Sequence, residues 1–433
     1  MRKAFALLLL IISLPTMLVA QSQPLVFNHV TVIDMTGALP KSDMRVVIQG
    51  NRIVAVGKSS KIRIPKAALV IDASALFLIP GLWDMHAHLG DEDFDKSSYL
   101  PLFIANGITG IRLMRGLPEH HLWRKEIESG TLLGPRMMIA SQRIDEAQTF
   151  ATQAREAVRK AKLEGADFFK VYDNLPREGY FALMDEAKRL NLPVEGHVPA
   201  SITAKEAAEA GQKSIEHLTG LDEAKSDNRQ AETLIAVFRK NHTWQCPTII
   251  MRSNYASLDD SSFADDPRLK YVKPSWREGW LKMTREAGQT PPGEWLKRKE
   301  LIRKEKALVG KMQKAGIRVL AGTDDANPYS YPGFSLHDEL MMLVEAGLTP
   351  MQALQAATAN AAEFFNKLDS LGTIQRGKIA DLVLLDANPF ENIRNTKRLN
   401  AVVVNGRYFA KEALQKMLAD VEAAAKRKRN DAQ

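Results

Sequence analysis

Apolar and polar positions follow two textures along this chain. From Pro24 to about Ile79, runs at 25–33, 44–48 and 53–56 are rich in β-branched residues. Turn signals at Thr36-Gly37 and Gln49-Gly50-Asn51 separate them, the pattern of short strands. The same texture returns at 379–385 and 401–404, with another turn at Asn405-Gly406. Strand texture at both ends, with a different segment between, predicts that the two ends pair into one small β-sandwich.

The middle repeats another unit. Short apolar runs at 82–89, 108–114, 136–140, 167–172, 193–198, 214–218, 243–250 and 318–322 alternate with amphipathic stretches such as 151–164, 178–190 and 204–210. Eight strands alternating with helices predict an α/β architecture, a (β/α)8 TIM barrel. A doubly wound sheet competes; the near-regular units and a further helical pattern at 349–365 favour closure. The predicted layout is a barrel over 80–367, sandwich parts at 21–79 and 368–410, and a basic helix or tail at 411–433. One stretch breaks the spacing: 252–292 is long and polar and holds Trp276 and Trp280, with Trp295 just beyond. Loops this long are usually functional or disordered. Following a strand, this one would lie over the C-terminal mouth of the barrel as a lid. An oligomer contact is the alternative, which leaves a homo-oligomer open.

The first residues, MRKAFALLLLIISLPTMLVA, join a basic start to an apolar core and a small residue at Ala20. That predicts a signal peptide at 1–20 and export, best suited to a bacterial periplasm. No later apolar run is long enough to span a bilayer, so no stable membrane anchor is expected. Cys246 is the single cysteine, so export brings no internal disulfide. At 45% hydrophobic and 25% charged, the 433 residues can bury one large core and a smaller one. The formal charge of +8 includes Arg2 and Lys3 of the removable segment and the run Lys426-Arg427-Lys428-Arg429. Elsewhere the signs are mixed, which favours a solvated surface with a basic tail over a nucleic-acid or membrane partner; the expected partner is a small-molecule substrate.

Candidate chemistry begins at Pro80-Gly81-Leu82-Trp83-Asp84-Met85-His86-Ala87-His88. Residues two apart on a strand point the same way, so His86 and His88 aim together at the end of the first barrel strand. Paired imidazoles suit zinc, iron, manganese or nickel. His197, His217 and Asp324 end the fifth, sixth and eighth predicted strands, and Lys170 lies within the apolar fourth. Barrel strands converge at one mouth, where active sites sit. Lys170 has two readings. A salt bridge is one; the other is a neutral amine, favoured by burial, that takes up carbon dioxide as a two-oxygen carbamate. Asp324 sits where a general acid–base would act. Tyr172 and Asn174, just after Lys170, are candidate substrate contacts. Arg112 and Arg115 are candidate receivers of a substrate carboxylate, or partners of Asp91, Glu92 or Asp93. His29, His120, His121, His242 and His337 carry no predicted catalytic role.

In these residues the chain resembles the amidohydrolase superfamily, within it the imidazolonepropionase-like and prolidase-like (Xaa-Pro dipeptidase-type) metal-dependent hydrolases. The matching features are Pro80–His88, Lys170, Gly196-His197, Glu216-His217, Gly322-Thr323-Asp324 and the closing pattern from Gly372 to Val383. The resemblance implies two divalent ions, usually zinc. His86, His88 and Asp324 would hold one and His197 and His217 the other, with carboxylated Lys170 as the bridge. It implies hydrolysis of a C–N amide bond in a small peptide, an N-acyl amino acid or a cyclic amide. It does not extend to the substrate, because Val171-Tyr172-Asp173-Asn174 follows Lys170 where the well-described dipeptidases carry small, glycine-rich residues. A lactonase or phosphotriesterase would use the same centre. A non-catalytic binding relative would show a lost ligand, and every position is filled. A glycosidase would need two carboxylates at strand ends, and only Asp324 is well placed.

Overall fold

A computed structural model describes residues 23–90, 93–145 and 149–430. The predicted signal peptide lies outside them, as do Asp91 and Glu92.

The two chain ends meet in one hydrogen-bonded sheet of eight strands. Leu25–Val32, Lys41–Gln49 and Arg52–Lys58 form an antiparallel meander at one side. Leu382–Leu385, Leu399–Val404 and Arg407–Ala410 form another. The stitch is Phe77–Pro80, parallel to Leu25–Val32 on one edge and antiparallel to Leu382–Leu385 on the other. This continuous ladder is what the strand texture alone could not specify, and it stands where a two-sheet sandwich is predicted. Phe27, Val46, Ile53, Leu382 and Val403 share one apolar cluster, so strands from both ends bury one face together.

The middle is mixed α/β. Leu82–Ala87, Ile108–Leu113 and Arg136–Ile139 form one parallel sheet. Phe169–Val171, Val194–Gly196, Ser214–Glu216 and Trp244–Cys246 form a second. Their residues are almost all buried, as parallel strands covered on both faces require. Hydrogen bonds cross the gaps between the sheets: Ser141 N donates to Phe168 O at 2.9 Å, Leu320 N to Gln245 O at 2.8 Å, and Met85 N to Ala321 O at 2.9 Å. The predicted eighth strand is held by these bonds and a single bridge at Val319, shorter than the apolar run suggests.

The segment 252–292 is folded. After helix Ile249–Ala256 come short 3-10 turns and helices Pro274–Ala287 and Pro292–Lys314. Trp280, Trp295, Tyr329, Tyr331, Leu258 and Leu269 form their own buried cluster. Tyr255 donates its hydroxyl to Asn327 at 3.0 Å, and the Asn327 amide donates to the carbonyl of Asp324 at 2.9 Å. The segment is thus fastened to the loop that carries Asp324. Truncating Trp280, which is 4% exposed, to alanine is expected to cost about 3–5 kcal/mol. Chemical denaturation of the two proteins checks this; a cost under about 1 kcal/mol would show a collapsible cluster.

The last helix, Lys411–Asn430, packs Leu414 and Val421 inward and lies against helix Leu100–Ala105. Among the described residues no helix is long and apolar enough to cross a membrane.

Candidate metal centre

The site is assembled where strands end and the backbone turns sharply. His217, Thr248 and Asp324 adopt positive φ of 57°, 46° and 51°. Left-handed backbone at non-glycine residues costs about 1–3 kcal/mol each and collects at functional sites. Two glycines make room. A Cβ on Gly196, at φ +130°, would lie 2.2 Å from Val171 O and 3.0 Å from the Lys170 side chain. A Cβ on Gly322 would lie 2.7 Å from both Cys246 Sγ and His86 Cβ. Any side chain at either position would displace a neighbour of the site.

Four imidazoles and one carboxylate come together there. Asp324 Oδ1 lies 3.0 Å from His88 Nε2 and 3.4 Å from His86 Nε2, and its Oδ2 lies 3.6 Å from His217 Nε2. Ring centroids are 5.3 Å apart for His86 and His88, 4.5 Å for His86 and His217, and 5.0 Å for His197 and His217.

Each of three rings is fixed by its other nitrogen. His86 Nδ1 donates to Glu216 at 2.8 Å, and His197 Nδ1 to Asp173 at 2.8 Å. The Thr248 hydroxyl donates to Pro247 O, so it accepts from His217 Nδ1 at 2.6 Å. These bonds select the tautomer whose Nε2 carries a lone pair, the usual device for orienting metal-ligating histidines. Burial, with Lys170 nearby, pushes the His86 pKa down to about 3; burial also lowers His197 and His217. Burial alone would raise Asp324, but His86, His217 and His88 outweigh it and hold the carboxyl well below its ordinary range. At neutral pH the set is three neutral imidazoles from these shifts and one carboxylate, the protonation state that binds metal.

The donors fit a cation. His86 Nε2 is buried with no hydrogen-bond partner, and ligand atoms of His86, His88 and Asp324 lie within 4.8 Å of one another. A second trio of His86, Glu216 and Cys246 is equally close. It is a poor cation site, because Arg112 already neutralises Glu216 at 2.7 Å and burial holds the Cys246 thiol protonated. Removing the hydroxyl that orients His217, as Thr248→Val, is expected to weaken metal affinity about 10–100-fold. Titration of the metal-stripped variant measures it, and affinity equal to the parent would refute the orienting role.

Lys170 is buried, with its ammonium nitrogen 5.1 Å from the ring centroid of Tyr172. Burial lowers its pKa to about 8, against the pull of Glu216 and Asp324. Tyr172 is half-buried beside His197, its ring 5.5 Å away, and donates its hydroxyl to Met114 O at 3.1 Å. Asn174 and Arg115 are exposed.

Arg112 is a correction. It does not open to a substrate carboxylate: it is fully buried and donates to Glu195 at 2.8 Å, Ser214 at 3.1 Å and Glu216 at 2.7 Å. It lies inside the protein, its guanidinium between the rings of Phe168 and Phe364. Asp84 and Asp325 join the site without a sequence signal of their own. Asp84 accepts from His86 N at 3.1 Å, Thr323 N at 3.0 Å and the Thr323 hydroxyl at 2.6 Å, tying the first strand end to the eighth. Asp325 accepts from His88 N at 2.6 Å. Adjacency alone marks them: each lies within two residues of a candidate ligand. His337 is buried in helix Phe334–Glu345, where it contacts Asn106 O and Thr396 rather than the site.

Residues 77–408 match the amidohydrolase family. The chain belongs to that family. As an amidohydrolase it is a hydrolase acting on carbon–nitrogen bonds, in a superfamily that is typically metal-dependent. It is 28% identical to the ochratoxinase of Aspergillus niger over 433 aligned residues, spanning 84% of this chain and 81% of that one. Bottromycin amidohydrolase superposes with a TM-score of 0.74 at 24% identity, over 92% of this amidohydrolase and 90% of that chain. A Xaa-Pro dipeptidase with methionine bound in its active site follows with a TM-score of 0.69 at 22% identity, over 90% and 100%. At these identities the solved structures speak for the fold, the TIM barrel of prolidase-like amidohydrolases.

Proposed function

We propose that this amidohydrolase cleaves an amide bond of a small molecule, such as a small peptide, an N-acyl amino acid or a cyclic amide. The observation that carries it is the orphaned, buried Nε2 of His86 facing Asp324 beside His88 and His217. In this reading His86, His88 and Asp324 hold one divalent ion, His197 and His217 a second, and both are zinc. Neutral Lys170 would add carbon dioxide through its amine nitrogen, the displaced N–H proton passing to solvent, and the carbamate so formed would offer two oxygens to the ions. Bound metal supplies hydroxide near neutral pH and polarises the scissile carbonyl. Asp324 takes the proton of the attacking nucleophile and delivers it to the leaving amine. The fastened cover over the Asp324 loop limits water at the mouth, and Tyr172, Asn174 and Arg115 meet the substrate.

The same reading closes 80–367 into one eight-stranded barrel, supported by the hydrogen bonds that cross both sheet gaps. The end segments 21–79 and 368–410 make the small β domain. Export to a bacterial periplasm with removal of residues 1–20 rests on the apolar start of the chain. The deciding experiment is a screen of zinc-loaded protein against dipeptides, N-acyl amino acids, cyclic amides, lactones and phosphotriesters. Amine release from an amide member at the highest kcat/KM is the expected result. A lactone or phosphotriester turned over at least about tenfold better would overturn the assignment.

A further inference from the structure

The interior of the barrel beneath the candidate centre is charged. Arg112, from strand Ile108–Leu113, lies there with no exposed atom surface of consequence and donates to four other groups. Nε donates to Met85 O. Nη1 donates to Glu195 Oε2 at 2.8 Å and Ser214 Oγ at 3.1 Å, and Nη2 to Glu216 Oε2 at 2.7 Å. The same Glu216 oxygen accepts from His86 Nδ1 at 2.8 Å. Ser214 donates its hydroxyl to the other Glu216 oxygen, so that carboxylate is fixed on both sides.

The partners are placed in an informative way. Met85 precedes His86, Glu195 stands two residues before His197, and Glu216 precedes His217. One guanidinium therefore grips the strands beneath three of the four imidazoles, across the full width of the interior. A cluster of this kind is poor value as stability alone, since buried ion pairs often lose more in desolvation than they regain. What an arginine adds is geometry. Its planar fork fixes two carboxylates at once, where the ammonium of a lysine is a point charge that reaches one.

We propose that Arg112 is a positioning residue for the metal centre, bracing Glu216 against His86 and holding the strand ends of His197 and His217 in register with it. This rests on the metal reading above. The arrangement fixes the His86 tautomer through Glu216 while Met85 O sets the height of the adjoining backbone. Loss of the fork frees Glu216 to rotate and leaves His86 to choose its own tautomer.

The test is zinc binding to metal-stripped protein, by competition with a chromophoric chelator, with the melting temperature of each metal-free protein measured beside it. The parent is compared with Arg112→Lys, Glu216→Gln and the double variant. Each single variant is expected to bind zinc about 10–100-fold more weakly, the range for lost support of a ligating histidine. The double variant should fall well short of the product of the two, because both act through one contact. Glu216→Gln keeps the side-chain volume, so it decides the matter if Arg112→Lys does not fold. Zinc affinity equal to the parent in the folded single variants, or multiplicative losses in the double, would overturn the proposal. So would a loss confined to melting temperature. A parent that binds no zinc would instead overturn the metal reading, which keeps the two failures distinct.

Discussion

Replacing Asp324 with asparagine is expected to lower kcat by at least about 10³-fold, within the range or beyond it for a lost acid–base group. The carboxylate sits 3.0 Å from His88 Nε2 and 3.4 Å from His86 Nε2, and these rings with His217 hold it ionised although it is buried. Asparagine keeps the shape and one oxygen but cannot accept and return a proton. The left-handed backbone at this position, φ 51°, is one asparagine tolerates well, so the fold should survive. Steady-state kinetics with the best amide substrate, together with metal content and melting temperature, separates chemistry from collapse. Residual activity within tenfold of the parent, at equal metal content, would remove Asp324 from the proton path.

The second large effect is on metal loading. Protein prepared with zinc and bicarbonate is expected to hold about two ions per chain, and Lys170→Ala sharply fewer. The loading should depend on pH in a defined sense. Only the neutral amine attacks carbon dioxide, and burial has moved the Lys170 pKa down to about 8. The reactive form is therefore a minority below that pH and the majority above it. At a fixed concentration of dissolved carbon dioxide, loading of stripped protein should be faster at pH 9 than at pH 7, and the difference should vanish in Lys170→Ala. Equal metal content in parent and variant would dismiss the bridge and leave Lys170 as an ordinary buried amine.

Much of the candidate site is legible in the sequence, for a reason of geometry. Barrel strands converge at one end, so a histidine or aspartate that closes an apolar run is already placed near the others; His86, His88, His197, His217 and Asp324 do meet. The placement of Arg112 is not legible in the sequence, for the complementary reason. A strand has two faces, and an apolar run of Ile108, Ile111 and Leu113 does not say whether the residue between them faces in or out. Its guanidinium is satisfied by Glu195 and Glu216, which lie about 80 and 100 positions away, a pairing that only the tertiary fold creates. The end strands were recognisable one by one, but their order was not, because the ladder through Phe77–Pro80 is set by partners from both termini.

That ladder bears on how the molecule is made. Phe77–Pro80 runs straight into the strand that carries His86, and Gly81 N donates to Asp381 O at 2.8 Å. Its partner Leu382–Leu385 is translated roughly three hundred residues later, about 15–60 s at ordinary elongation rates. Throughout that interval the segment leading to His86 and His88 has an unpaired apolar edge. The sheet can be completed only after Leu385 has been made, and any nascent or truncated product ending before Leu382 leaves that edge unpaired.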